Sequence, residues 1–279
     1  MILRWPGSKW HATDYVVSQF GWCDEYREGF LGSGAVFWRL PKWSFKRVWL
    51  NDLNADVVNL FRAVKGEIDP DFVGRAIHYA TTYTTAGQIR DVWAIMKERF
   101  VLFGEAAAYW FLHRYAYGSI VSRARRDIAA LPRKDTDLER YVPTTLRFTA
   151  EYWQDRRSQL ENVELTTLDY SAVLVDGSTN RCAVLLDPPY SINSHNSRLY
   201  QVPFTSQQHE EMRELTRACA HRVVITVGDD VNSDLLFRDA EGFEFNEHYY
   251  TRAVVGTVNP GGGPTRRVQF VVVWPGTKS

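Results

Sequence analysis

The stretch RVWLNDLNADVVNLFRAVK, residues 47–65, constrains the fold more tightly than any other. An apolar run (Val48, Trp49, Leu50) stops at Asn51-Asp52, and an amphipathic segment follows at once. Its apolar face is Val57, Val58, Leu60, Phe61 and Val64, the spacing of a helix, and Asn54 or Asp52 can cap it. Strand, polar loop and helix make one α/β unit. The rhythm returns later in the chain. NVELTTLDY is a strand with an acidic turn, RCAVLLDPPY a strand with a rigid corner, Gln207 to Ala220 an amphipathic helix, and RVVITVGDD another strand. Strands alternating with helices imply a largely parallel, doubly wound sheet. The two β-rich runs of FEFNEHYYTRAVVGTVNPGGGPTRRVQFVVVW predict a long hairpin that adds an antiparallel strand at or near the edge.

Between these halves the texture changes. AGQIRDVWAIMKERF and GEAAAYWFLHRYAYG are helical patterns, and SRARRDIAALPRKDTDLERYVP is too polar and too broken by proline to be core. The expected organisation is therefore residues 1–68 as the first part of an α/β domain, 69–148 as an inserted helical subdomain with an exposed basic loop, and 149–279 as the second part.

Composition narrows the classes. Net charge is zero, so any argument for nucleic acid rests on local clusters. Aromatics at 14%, with 10 tryptophans, are enough for stacking surfaces as well as core. Three cysteines far apart (Cys23, Cys182, Cys219) argue against a disulfide-built secreted protein and for a reducing compartment. The start MILRWPGSKW lacks a signal-peptide core, and no segment approaches the ~20 apolar residues of a membrane span. The chain is expected to be cytoplasmic, with no membrane and no obligate protein partner. Seven scattered histidines offer no triad or paired spacing, His195 reads as a surface residue, and no metal site is expected.

FLGSGAVF, residues 30–37, lies between a short strand candidate and a helix. Gly32 and Gly34 allow positive φ and close backbone approach, so the loop can hold a ligand at a helix N-terminus or simply be a tight turn. The next strand ends at Asp52, where α/β nucleotide sites hold ribose hydroxyls, although a helix cap would serve as well. The phosphate loop G-x-x-x-x-G-K-[ST] is missing, which points to a small adenosine-containing ligand without a triphosphate cradle.

The corner Asp187-Pro188-Pro189-Tyr190 is the most specific chemistry in the chain. Pro188 and Pro189 fix φ and remove two backbone donors. An ionised Asp187 and a proline carbonyl are pure acceptors, able together to take both hydrogens of an exocyclic amino group. Tyr190 offers a face to a planar base.

In order and character these motifs resemble the S-adenosylmethionine-dependent DNA amino-methyltransferases, in particular the Dam-like, alpha-group adenine-N6 enzymes. RWPGSK resembles their N-terminal KWAGGK, FLGSG their FxGxG loop, and LHRYAYG the LNRYGYNG segment that opens their DNA-contacting hairpin. A DY turn at Asp169-Tyr170, the DPPY corner, PFTSQQHEEM and NPGGGPTRRVQFVVV follow in the family's order. The resemblance implies a Rossmann-like class I methyltransferase sheet with S-adenosylmethionine as cofactor and double-stranded DNA as partner. By carry-over, Trp5, Pro6, Gly7 and Lys9 line the cofactor and reaction pocket. Phe30, Gly32, Ser33, Gly34, Ala35, Val36 and Phe37 wrap the methionine part. Asp52 binds the ribose with Leu53 against the adenine, and Asp169 bonds the adenine amino group beside Tyr170. Catalysis falls to Asp187, Pro188, Pro189, Tyr190 and Lys9, with Asp187 also counted among the cofactor-binding residues.

The family flips its target base out of the duplex, which requires a DNA surface elsewhere. Arg114, Arg123, Arg125, Arg126, Arg133, Lys134 and Arg140 cluster in the insertion, where the resemblance implies phosphate contacts and guanine reading by one arginine. Tyr117 and Ile120 fall where the family places a contacting aromatic and an apolar wedge. Arg266 and Arg267 are expected to add backbone contacts. His113 stands in place of the family's Asn, and Gly118-Ser119 in place of Asn-Gly. The nearest alternative keeps the chemistry and changes the substrate: cytosine N4, RNA, or a protein glutamine amide. A DNA-binding module with a vestigial cofactor site is the alternative from another class, and a nicotinamide enzyme on the glycine loop leaves DPPY unexplained.

Overall fold

The computed structural model describes residues 1–5, 11–41, 45–123, 127–175, 177, 180–189, 204–227, 237–238, 240–252 and 265–276, with 249–252 and 265–269 described as backbone alone. Among these, seven strands build one sheet: β1 (Glu25–Glu28), β2 (Arg47–Asn51), β3 (Val163–Thr166), β4 (Cys182–Leu186), β5 (Arg222–Val227), β6 (Glu244–Arg252) and β7 (Thr265–Trp274). Their order is β3-β2-β1-β4-β5-β7-β6. β1 pairs in parallel with β2 and β4, and β4 with β5, whereas β7 runs antiparallel to both β5 and β6. The expected α/β class is borne out, and the terminal hairpin places β7 inside the sheet and β6 at its edge. Register fixes the functional end. Glu28 stands beside Leu50 and Leu185, and Leu186 beside Ile225, so the parallel strands finish along one edge.

Contacts divide the chain into two compact units. The first gathers Met1–Ser8, Gly32–Gly34 and Asp52–Thr167, and is mainly helical. Its helix α2 (Ala55–Lys65) starts where the Asn54 Oδ1 accepts from the Asp56 N–H at 3.0 Å. Following α1 (Thr13–Ser18) and α2 in the chain come α3 (Phe72–Thr82), α4 (Ala86–Phe103), opened by a reciprocal Thr85–Gln88 cap, and α5 (Ala106–Tyr115). All ten residues of α5 are buried, because α2, α3 and α4 surround it. Trp110 of α5 meets Phe148 and Trp153 edge-on, and Phe72 closes on Trp153. The helical insertion expected over 69–148 lies inside this unit, which also contains α2, β3 and the helix at Ala150–Leu160.

The second unit holds the remaining strands and the helix Ser206–Ala218. β4 is buried at all five positions and packs with Val223, Ile225, Val272 and Met212. Beneath β1 lies an ionic cluster: the Arg27 Nε donates to Glu25 Oε1 at 2.8 Å, the Arg47 Nη1 donates to the same oxygen at 2.9 Å, and neither Glu25 nor Arg27 has any exposure. A further Arg27 bond, from Nη1 to the Val173 carbonyl at 2.9 Å, ties the strand to the short helix Ala172–Val175. Among the described residues no helix is long and apolar enough to cross a membrane.

Candidate active site

The first unit carries Asp52, one residue past β2. Its two oxygens accept backbone N–H bonds from Gly32 (2.7 Å) and Asn54 (2.8 Å). Burial pushes the carboxyl up to about 6 against the opposing pull of those two donors. The capping role thus divides between neighbours: Asn54 caps α2, and Asp52 holds Asn54 and the glycine loop. Gly32 has φ +49°, and a side chain there would meet the Trp5 indole, whose Nε1 lies 2.9 Å from the Cβ position. Trp5 therefore fills the space that the glycine leaves. The same indole stacks on His113, centroids 5.6 Å apart. Buried among Trp5 and Tyr109, His113 is pushed down to about 3, chiefly by desolvation, and stays neutral; its Nδ1–H donates to the Arg4 carbonyl at 3.3 Å. Leu53 is 62% exposed beside Asp52.

Within the second unit, Asp187 follows β4 directly. The buried Thr226 hydroxyl on β5 donates to the Asp187 Oδ1 at 2.5 Å. Pro188 is buried and Pro189 partly so. An aromatic group stands at the same strand ends: Phe30 stacks on Tyr170 (5.2 Å, 22°), and Phe204 meets both edge-on. Desolvation raises the Tyr170 phenol to about 12, with the neighbouring Asp169 and Glu211 adding to it. Asp169 itself is exposed, and its Oδ1 accepts from the Ser171 N–H at 2.9 Å.

Two residues outside the sequence expectations organise this region. The Asn51 amide donates to the carbonyls of Gly29 (3.2 Å) and Leu168 (2.9 Å), while its oxygen accepts from the Leu168 N–H (2.9 Å). One buried side chain thereby joins the ends of β1 and β2 to the loop bearing Asp169 and Tyr170. Gly29 admits no side chain without movement, since a Cβ would lie 2.7 Å from the Leu186 Cδ2 and 3.4 Å from the Tyr170 Cβ. An asparagine closing an apolar run was the available signal for the first; nothing in the pattern marked the second.

Several expectations change. FLGSGAVF leads into a single 3-10 turn, Phe37–Arg39, and no longer helix follows: Leu40 turns extended (ψ 142°) ahead of Pro41. The helix N-terminus expected there does not form, and Ser33, Ala35, Val36 and Phe37 are buried within the fold. Arg114, expected at DNA phosphates, is a buried residue of α5; its Nε and Nη2 donate to the Thr145 and Thr144 hydroxyls, and its guanidinium lies over Phe148. Arg123 reaches both Asp56 oxygens (3.0 and 3.1 Å) and the carbonyls of Phe100 and Val101. By contrast Tyr117 is 70% exposed, Arg133, Lys134 and Arg140 are exposed, and Ile120 is partly buried. Pro6, Gly7, Lys9, Arg125, Arg126, Tyr190 and His195 lie outside the described residues, as do the side chains of Arg266 and Arg267 on β7.

Comparison with known proteins gives this arrangement its family. The profile described as D12 class N6 adenine-specific DNA methyltransferase matches residues 5–252. The chain is 24% identical over 228 residues to the DNA adenine methylase of Escherichia coli (strain K12), covering 79% of this chain and 77% of that protein. It is 25% identical over 194 residues to the DNA adenine methylase of Serratia marcescens, covering 68% and 66% respectively. A shorter match, 32% identical over 75 residues, relates 24% of the chain to 26% of the Type II methyltransferase M.MjaIII of Methanocaldococcus jannaschii. The matched spans thus run from about a quarter to about three quarters of these relatives' lengths. A carboxylate past β2, a rigid acceptor corner past β4 and a profile running through most of the sequence meet in one conclusion: the chain belongs to the D12 class N6 adenine-specific DNA methyltransferases.

Proposed function

We propose that the chain is a site-specific methyltransferase that acts on adenine N6 in double-stranded DNA after flipping the target base from the helix. The observation that most supports this is the Asp187 carboxylate, placed one residue past a buried strand, gripped by Thr226 and followed by two prolines. The family's donor, S-adenosylmethionine, supplies when bound an electrophilic methyl group on a sulfonium centre. Each unit by itself offers chemistry that suits it: in the first a half-buried carboxylate past β2 suits ribose hydroxyls, and in the second the Phe30–Tyr170 slab offers apolar faces. By the family's motif order, Asp52 is assigned the ribose, Asp169 the adenine amino group, and Trp5, Phe30 and Tyr170 apolar contacts with the cofactor.

Asp187 and the Pro188 carbonyl accept the two hydrogens of the target amino group. That turns the nitrogen lone pair toward the methyl group and stabilises the positive charge that develops on nitrogen. Tyr190 stacks on the base and holds its plane. The protein's contribution is placement and fixed charge, without a covalent nucleophile. Tyr117, Ile120, Arg133, Lys134, Arg140 and the β7 arginines provide the duplex surface. The relatives include an Escherichia phage P1 protein, in keeping with action in a bacterial or phage-infected cell.

The test is the modified nucleoside itself. Unmethylated duplex DNA incubated with labelled S-adenosylmethionine and digested to nucleosides should yield N6-methyladenine. N4-methylcytosine as the sole product would move the assignment to the cytosine alternative, and loss of signal on removing DNA strand pairing would confirm the duplex preference.

A pH dependence follows from Asp52. Only the ionised carboxylate accepts both ribose hydroxyl hydrogens, and burial raises this group to about 6. Cofactor affinity should therefore be level above that pH and weaken by up to about tenfold per unit below it. Calorimetric titration between pH 5 and 8 (roughly the span of a perturbed carboxylate) checks this; an Asp52→Asn variant should bind weakly at every pH, with a flat profile.

A further inference from the structure

The catalytic carboxylate is held from a strand that carries none of the family-like motifs. β4 and β5 run parallel with Leu186 beside Ile225, so their next residues, Asp187 and Thr226, stand side by side. The Thr226 Oγ1 donates to Asp187 Oδ1, and Thr226 has no exposure. Its flanks, Ile225 and Val227, are buried, and β7 pairs on its far side through Val271. A valine would fill this volume equally well and would spare the strand a buried hydroxyl, which is costly unless bonded. The hydroxyl residue in RVVITV falls at the register position beside Asp187. The fully buried Tyr26 phenol of β1 donates to Glu28 Oε2 at 3.0 Å.

A bond from a neutral hydroxyl to an ionised carboxylate is among the stronger kinds available to a protein. Threonine is also stiff at χ1, so the donor does not wander. We propose that Thr226 is a positioning residue for methyl transfer: it fixes the rotation of the Asp187 carboxylate in which an acceptor is presented to the amino group of the target base. The inference rests on the reading of Asp187 as that acceptor. Without the hydroxyl the carboxylate loses this hold on its rotation, and the productive orientation is less populated.

The experiment compares full-length wild type with Thr226→Val, Thr226→Ser, Thr226→Ala and Asp187→Ala on unmethylated plasmid DNA with labelled S-adenosylmethionine. Thr226→Val should lower kcat by about 10- to 100-fold with KM for the cofactor unchanged. Thr226→Ser should return to within about threefold of wild type, since it restores the donor atom. Should valine disturb folding, serine and alanine repeat the comparison, because both lack the same methyl group and differ only in the hydroxyl. Equal kcat in the serine and alanine variants, or wild-type kcat in the valine variant, overturns the positioning role. If Asp187→Ala is inactive in that same experiment, the reading of Asp187 stands and this inference alone falls; wild-type turnover by Asp187→Ala removes the reading beneath it.

Discussion

Asp187→Ala should reduce methyl transfer by about 10³-fold or more while leaving cofactor affinity within a few-fold of wild type. The amino nitrogen of a base is a poor nucleophile because its lone pair is shared with the ring. An acceptor on each hydrogen holds the nitrogen in the geometry where that lone pair is released, and a charged acceptor also offsets the positive charge that appears during attack. Removing one preorganised partner from such a site typically costs 10²–10³-fold, and a charged one belongs at the upper end. The fold bears only a modest loss: Asp187 lies past the end of β4, and Thr226 gives up one acceptor, a cost of about 1–3 kcal/mol. Single-turnover transfer of labelled methyl groups, run beside calorimetry with the cofactor, separates the two effects. Wild-type transfer in this variant would sink the assignment.

Arg27→Met should be the most destabilising single change in the sheet. Arg27 is fully buried, bonded to Glu25 on its own strand and to the Val173 carbonyl, with Trp49 across its guanidinium. Its removal leaves the buried Glu25 carboxylate with the partly exposed Arg47 as its remaining close cation in this cluster. Breaking a buried pair costs about 3–5 kcal/mol, and Arg47 places this case near the low end. For a chain of this size the melting temperature should fall by roughly 6–15 °C. The double variant Glu25→Leu/Arg27→Met should recover part of the loss, since it removes the stranded charge as well. Thermal unfolding of the three proteins decides it: an unchanged melting point in the single variant would mean the cluster contributes nothing. Because Val173 follows Tyr170 by three residues, the same variant should also loosen the aromatic stack.

Much of this fold could be read in advance because its signals are local. Val48 to Leu50 ending at Asn51-Asp52, and the unbroken run Cys182 to Leu186, announce strands by their apolar content, and Val57 to Val64 announces a helix by its period. The acceptor corner was legible for the same reason, since proline and aspartate act through their own backbone and side chain. What escaped was whatever depends on partners distant in the chain. Asn51 looks like a loop residue until Leu168 is beside it, and Thr226 like one more β-branched residue until strand register puts it next to Asp187. Gly29 is required by Leu186, far along the sequence. Arginines misled most, because their charge suggested a surface while α5 needed Arg114 inside and α2 needed Arg123 at its first turn. The 3-10 turn after the glycine loop shows the reverse: a local signal, Pro41, outweighed the helical pattern before it.

Arg114, buried in α5, and Arg123, exposed but bonded through every nitrogen, have a consequence for how the protein meets a polyanion. DNA binding draws part of its free energy from counterions released by each phosphate that a cation neutralises, and each such contact steepens the fall of affinity with salt by ~0.9 in log–log slope. Arg114 is already engaged by Thr144 and Thr145, and each nitrogen of Arg123 is taken by Asp56, Phe100 or Val101. With these partners kept, neither is expected to displace a counterion. A slope counted from the basic residues of the insertion would be too steep by about two contacts, and titrations from about 50 to 200 mM salt should show the shallower line. On a chain of zero net charge, the proposed grip on the duplex would then come less from ion release and more from shape, stacking and the bases themselves.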